Sequence, residues 1–412
     1  MRILLGAFGD PGHAFPMLAL GERLVERRHD VALQTWRRWE PDVREAGMTF
    51  LPAPEYQVFP TLEAPLKPYA AAVRAARETV PQVEAFGPDL AVADVLTPAP
   101  ALAAELCGLP RATLVPHVCP AGAPGHPVYS IGARLPRTQL GRRGWRSADR
   151  VVRGGLERGR REYNDCRARL GLAPLPDVHT GLSRSLTLVA TLPQLEYPRR
   201  WPDWLRVVGP LLWEPLSEPV APPAGDGPVV LIAPSTSQDP THALLRAALT
   251  GLADEPVRVI ASSNGRPPTP AIDVPSNAVL VPWLSYAKTI PACDLVVCHG
   301  GHGTLVRTLV SGRPVVVCPA GGDMAENAAR ADWAHVGVRL PRRLLAPATI
   351  ALAVRRALGD GRLRARAEAV ATWAAEHDGA TLACRALEAW ADSGARAARA
   401  HSASAGGGGS AC

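Results

Sequence analysis

The stretch from Trp283 to Ala328 constrains the chain most. Asp294–Cys298 (DLVVC) is an apolar run long enough for a buried parallel strand and too short for a helix. It runs into His299-Gly300-Gly301-His302-Gly303-Thr304, after which Leu305, Leu309 and Val310 recur at helical spacing until Gly312. A glycine-rich turn therefore joins the carboxyl end of a strand to the start of a helix. Such a turn leaves backbone N–H groups pointing outward at the positive end of the helix dipole, which suits a phosphate. His299 and Thr304 add side-chain donors. The plan then repeats: Pro314–Cys318 predicts a second strand, Pro319–Gly322 its loop, and Asp323 opens the next helix. Asp323 with Glu326 fits a capping box, so helix capping is the plain alternative to ligand binding for Asp323.

The amino terminus predicts a similar unit. Arg2–Phe8 reads as a strand, Gly9-Asp10-Pro11-Gly12-His13 as its turn, Pro16 to Arg28 as a helix and Val31–Thr35 as the next strand. Gly6, Gly9 and Gly12 imitate a dinucleotide fingerprint, but that fingerprint needs an acidic residue after the second strand. Gln34-Thr35-Trp36-Arg37-Arg38 stands there instead, and the reading fails. His13 sits at the helix start, where the dipole disfavours imidazolium and predicts a neutral ring able to accept a proton. Leu90–Asp94 (LAVAD) predicts a strand ending in a carboxylate at the same sheet edge. Asp94 could hold one nitrogen of His13 and leave the other as a base. The plainer alternatives are a loop histidine contacting backbone and a cap for the helix near Pro98.

His299, Gly301, Thr304, Gly312, Pro314, Pro319, Asp323, Asn327 and Ala328 stand in the order and spacing of a known signature. The chain thereby resembles the family 1 glycosyltransferases, and in particular the sugar-nucleotide-dependent natural-product transferases of actinobacteria. The resemblance implies the α/β GT-B fold, two Rossmann-like domains facing each other across a cleft. It implies that Trp283 stacks on the donor base, with Leu284 and Ser285 beside it. His299, Gly301, His302, Gly303 and Thr304 would hold the diphosphate, Ser235 and Thr236 would lie near it, and Asp323 and Met324 would face the sugar. His13 with Asp94 would deprotonate the acceptor hydroxyl. Three positions depart from the family pattern. His302-Gly303 replaces a Trp-Asn pair, Arg307 stands where a ribose-binding glutamate is usual, and Met324 replaces a glutamine.

The chain has 412 residues, the usual length of two domains, with 47% apolar and 20% charged residues. The formal net charge of +7 comes with only two lysines, Lys67 and Lys288, which leaves 45 − 2 = 43 arginines. No nucleic-acid motif accompanies that excess. The segments Pro52–Val80 and Pro116–Arg161 are rich in proline, glycine and arginine and have broken periodicity, and the resemblance implies that acceptor-binding loops lie in them. Arg134, Arg137, Arg142, Arg143, Arg146, Arg150, Arg153, Arg158, Arg160 and Arg161 crowd the second one. They read as a solvated face, or as an attraction for an anionic acceptor or membrane surface. The eight cysteines show no paired metal spacing and read as buried thiols of a reducing cytoplasm.

These observations predict an acceptor-binding domain over 1–205, a linker over 206–227, a sugar-nucleotide domain over 228–395 and a disordered tail over 396–412. The expected activity is inverting transfer of a hexose or deoxyhexose from a nucleotide-diphosphate sugar to a hydroxyl of a small, largely apolar acceptor. The rival readings are a lipid-linked or polysaccharide sugar transferase of the same fold, and a non-catalytic glycosyltransferase-like partner. The expected partners are the sugar nucleotide and the acceptor, and a homodimer is compatible with the sequence. No cofactor, metal, nucleic acid or membrane span is expected.

Overall fold

The computed structural model describes residues 1–54, 70–176, 182–236 and 238–406. Of the first segment read as a loop, residues 55–69 lie outside the described residues, as does Ser237, while residues 70–80 are helical rather than broken loop. Two parallel sheets organise the chain. The first takes β1 (Arg2–Gly6), β2 (Asp30–Thr35), β3 (Thr49–Pro52), β4 (Leu90–Asp94), β5 (Arg111–Val115), β6 (Thr187–Val189) and β7 (Leu205–Val207) in the order 3-2-1-4-5-6-7. The second takes β8 (Val229–Ala233), β9 (Arg258–Ser262), β10 (Ala278–Val281), β11 (Leu295–Cys298), β12 (Val315–Val317) and β13 (Gly337–Arg339) in the order 10-9-8-11-12-13.

Helices cover the faces of the first sheet: α1 (Pro11–Glu26), α2 (Glu40–Glu45), α3 (Ala70–Phe86), α4 (Pro98–Leu106) and α5 (Gln139–Arg169). Those of the second half are α6 (Ala243–Leu252), α7 (Tyr286–Thr289), α8 (His302–Val310), α9 (Met324–Trp333), α10 (Pro347–Gly359), α11 (Gly361–Glu376) and α12 (Gly379–Gly406). Unbroken apolar runs such as β4 and β8 are buried along their whole length, as a parallel strand covered on both faces must be.

Three expectations change. Leu205–Val207 pairs with β6 as a strand, so the linker starts later than 206. The segment read as a broken loop up to Arg161 contains most of α5, a helix capped by the Thr138 hydroxyl, which accepts from the Gly141 N–H at 3.1 Å. Its arginines mask an apolar stripe that includes the buried Tyr163 and Cys166. The tail is helical as far as Gly406, because α12 runs past the expected boundary; residues 407–412 lie outside the described set. Ala383, Cys384 and Leu387 of α12 are buried in the core of the first sheet rather than the second.

Candidate active site

The carboxyl ends of both sheets face one cleft, the place where an open parallel sheet takes its ligand. On the first sheet the turn after β1 brings His13 to the opening of α1, and β4 ends at Asp94. His13 Nδ1 lies 2.7 Å from Asp94 Oδ2, with the histidine side chain 16% exposed and the carboxylate buried. Asp94 is fixed by the Leu96 N–H on Oδ1 (2.9 Å) and the Phe8 N–H on Oδ2 (3.4 Å). It does not cap α4, whose cap position is Thr97.

Burial lowers the His13 pKa, but Asp94, followed by Asp323 and Asp10, outweighs burial and leaves it above its ordinary value. The neutral ring expected from the helix end is thereby corrected, since a carboxylate at 2.7 Å acts more strongly on the ring than the dipole of the first turn.

His117, which the sequence reading missed, stands beside this pair. It stands two residues past the end of β5, and had RATLV been read as a strand, the same edge argument that found Asp94 would have led to it. Its ring centroid is 6.3 Å from that of His13, and its Nδ1 lies 2.8 Å from the Val118 carbonyl. Burial, aided by the charge of His13, holds its pKa below the usual value against a raising hydrogen bond to Val118.

The second sheet supplies the opposite wall. His299 follows β11 and its Nδ1 lies 3.1 Å from the Ala233 carbonyl; burial lowers its pKa. The next turn admits little but glycine. Gly300 has φ +87°, and a Cβ on Gly301 would come within 2.3 Å of His299 Nε2. His302, Gly303 and Thr304 form the first turn of α8 and line the cleft with Gly301. Burial, then the neighbouring His117, pushes the His302 pKa down to about 3, so this turn carries a neutral imidazole.

Asp323 precedes α9 and makes no side-chain cap; Glu326 instead accepts from Arg330 at 2.8 Å. The expected capping box is absent, because Glu326 answers a buried guanidinium. The carboxylate of Asp323 is left beside Met324 on the cleft wall. Asn327 donates to the Gly300 carbonyl at 2.9 Å and ties α9 to the glycine turn.

Trp283 lines the cleft and is 40% exposed, so it is not part of the core. Leu284 lines it too, although buried. Ser285 does not. Its hydroxyl donates to Glu214 and accepts from the Lys288 N–H at 3.1 Å, while its own N–H donates to the Glu218 carbonyl at 3.1 Å. Ser235 and Thr236 reach the cleft edge, where Ser235 Oγ accepts from the Gln238 N–H at 2.9 Å. Glu214 and Arg307 also line this end, with Arg307 Nε 3.7 Å from the Glu214 carboxylate and its Nη2 donating to the Trp213 carbonyl at 2.8 Å.

One wall thus carries a histidine–aspartate pair. The other carries the amino-terminal end of a helix, a partly exposed indole and a carboxylate that caps no helix. That combination can activate a hydroxyl while holding a charged leaving group.

Residues 246–388 match the family described as Erythromycin biosynthesis protein CIII-like, C-terminal domain. The chain is 28% identical to 4'-demethylrebeccamycin synthase of Lentzea aerocolonigenes, over 89% of this chain and 94% of that protein. It is 26% identical to O-mycaminosyltylonolide 6-deoxyallosyltransferase of Streptomyces fradiae, over 95% and 98%. The solved glycosyltransferase VinC in complex with dTDP shares the fold at a TM-score of 0.70, with 18% identity and 95% and 100% of the two chains covered. Among the described residues no helix is long and apolar enough to cross a membrane. The chain is a glycosyltransferase of the GT-B fold, carrying an EryCIII-like C-terminal domain.

Proposed function

We propose that the chain transfers a deoxyhexose from a nucleotide-diphosphate sugar to a hydroxyl of a small, largely apolar acceptor, with inversion. The observation that carries the reading is the His13–Asp94 pair facing the glycine turn across one cleft. His13, oriented by Asp94, takes the proton of the acceptor hydroxyl. The oxygen attacks the anomeric carbon from the face opposite the leaving diphosphate, so the carbon–oxygen bond to the diphosphate breaks as the new one forms. The α8 amino terminus and His299 offset the charge that grows on the diphosphate, and the reaction needs no metal ion. Phe15, Pro16, Pro116 and Trp213 give the acceptor an apolar wall.

Support for a deoxysugar comes from Asp323 and Met324. A carboxylate accepts from two neighbouring hydroxyls, whereas a hydroxyl turned to the thioether of Met324 is buried without a partner, at about 1–3 kcal/mol. The name of the Streptomyces fradiae relative points the same way.

The test measures dTDP and UDP binding by thermal shift, then product formation from nucleotide-linked glucose against its 6-deoxy and 2,6-dideoxy counterparts. The expected outcome is nucleotide-dependent stabilisation, an inverted product and faster use of a deoxysugar. Absence of nucleotide binding would overturn the transfer reading. A preference for glucose that persists in Met324→Gln would overturn only the deoxysugar.

A further inference from the structure

His117 has no part in the chemistry above, yet its ring forms part of the cleft wall next to the base. Its tautomer is fixed by its neighbours. The Val118 carbonyl can only accept, so at 2.8 Å it holds the proton on Nδ1. The Tyr129 hydroxyl lies 3.1 Å from the same nitrogen, and its ring is stacked along the imidazole at 5.9 Å and 26°. Both contacts fall on one edge of the ring. Nε2, on the other edge of the ring, keeps its lone pair, and the ring lines the cleft. The ring faces His13, Asp94, Asp323, His302 and Tyr129, and burial keeps it neutral among them.

A hydroxyl that delivers its single proton to His13 has none left for His117. The lone pair on His117 therefore needs a second donor, carried by the acceptor next to the reacting oxygen. The ring-centroid separation of 6.3 Å between the two histidines allows a vicinal pair of oxygens to reach both. The wall on which such an acceptor would rest is aromatic: Phe15 and Trp213 stand edge to face at 5.1 Å. From this geometry we propose that His117 Nε2 is an acceptor-specificity contact selecting planar acceptors with a second hydroxyl or N–H ortho to the reacting hydroxyl. The inference rests on the transferase reading given above.

The probes are catechol and its monomethyl ether guaiacol, with a saturating nucleotide-linked sugar that the enzyme accepts. A site built to receive a hydrogen bond rejects a substrate lacking the donor. The wild type is expected to use catechol with a kcat/KM at least about tenfold above that for guaiacol, and the difference should reside in the acceptor KM. In His117→Phe, which keeps the ring but loses the lone pair, the ratio should fall to about threefold or less, with an unchanged KM for the sugar nucleotide. His117→Gln, which retains a neutral oxygen acceptor, should recover part of the preference.

A wild type indifferent to the second hydroxyl, or one that glycosylates neither probe while binding nucleotide, overturns the proposal and leaves sugar transfer standing. So does a preference that survives in His117→Phe. The wild-type ratio needs no folded variant. His13→Ala separates the two readings, since it should silence both probes whatever His117 does.

Discussion

At the scale of single residues, His13 decides the pH dependence. A general base works only when unprotonated, and the Asp94 carboxylate keeps this imidazole protonated to a higher pH than usual, against the effect of burial. The acid limb of kcat/KM should therefore lie above about 6.5, the ordinary histidine value. Asp94→Asn should move that limb to lower pH, because the raising partner is gone, and should lower the plateau because the ring is no longer oriented. His13→Ala should cost about two to four powers of ten in turnover. A limb that stays in place in Asp94→Asn would separate the pair. Trp283 gives a second test at this scale. Stacking of a base on an aromatic ring is worth about 1–3 kcal/mol, so Trp283→Ala should weaken nucleotide binding by that amount. Its melting temperature should hardly change, since the indole is 40% exposed and contributes little to the core. Unfolding of the variant would return Trp283 to the core.

At the scale of elements, α9 is the piece whose placement matters most, because Asp323 and Met324 sit at its start. Arg330 fastens it to the first domain: Nε donates to Glu326 at 2.8 Å, and Nη1 to Glu196 and the Leu195 carbonyl, each at 3.1 Å. The guanidinium also lies 3.7 Å over the Tyr197 ring. Glu196 in turn accepts from the Cys119 N–H at 2.6 Å, two residues beyond His117. Removing one partner of a buried pair leaves uncompensated charge, at about 3–5 kcal/mol. Arg330→Met should lose about that much in urea unfolding, and Glu196→Gln less, since the amide still accepts from Cys119. A loss below about 1 kcal/mol would make the network incidental.

Apart from the i,i+4 pair of Glu326 and Arg330, this network was not legible in the sequence, because Arg330, Glu196 and Cys119 are far apart in the chain. What was legible were elements with one strong local signal. Leu90–Asp94, Arg2–Gly6 and Leu295–Cys298 are strands within the bounds their apolar runs predicted. β13 (GVR) holds one apolar side chain between a glycine and an arginine, and β5 (RATLV) is interrupted by Thr113, so neither offered an unbroken apolar run to read. The site divides in the same way: the glycine turn and Asp94 announce themselves at strand ends, whereas Glu214 becomes a cleft residue only through tertiary packing.

At the scale of the whole molecule, the chain crosses between its halves twice, and the crossings touch. Gly209, at φ +95°, follows β7, and Gly379 opens α12; a Cβ on Gly379 would come within 2.4 Å of the Pro210 carbonyl oxygen. From there α12 returns to α1, so the last helix locks the first domain from outside. Leu387 is buried there, Arg23 pairs with Asp378 at 3.0 Å, and Glu388 receives Arg27 at 2.6 Å and His29 at 3.0 Å. The hydrogen bond from Arg27, and after it that from His29, holds the Glu388 pKa down to about 2 despite some burial. An unfolded glutamate titrates near about 4.3. The folded state therefore binds this proton less readily, and Glu388 stabilises the fold fully above that value. The contribution fades as pH falls toward about 2, where the folded group is protonated as well. The pair is partly exposed, so its worth should be modest, about 0.2–1 kcal/mol. Glu388→Gln should accordingly be less stable than the wild type by that amount in urea titrations at pH 7, and the gap should narrow steadily between about pH 4 and pH 2. A gap of constant size across that range would mean that Glu388 acts by packing alone, and that α12 is held by Leu387 and its apolar neighbours without help from charge.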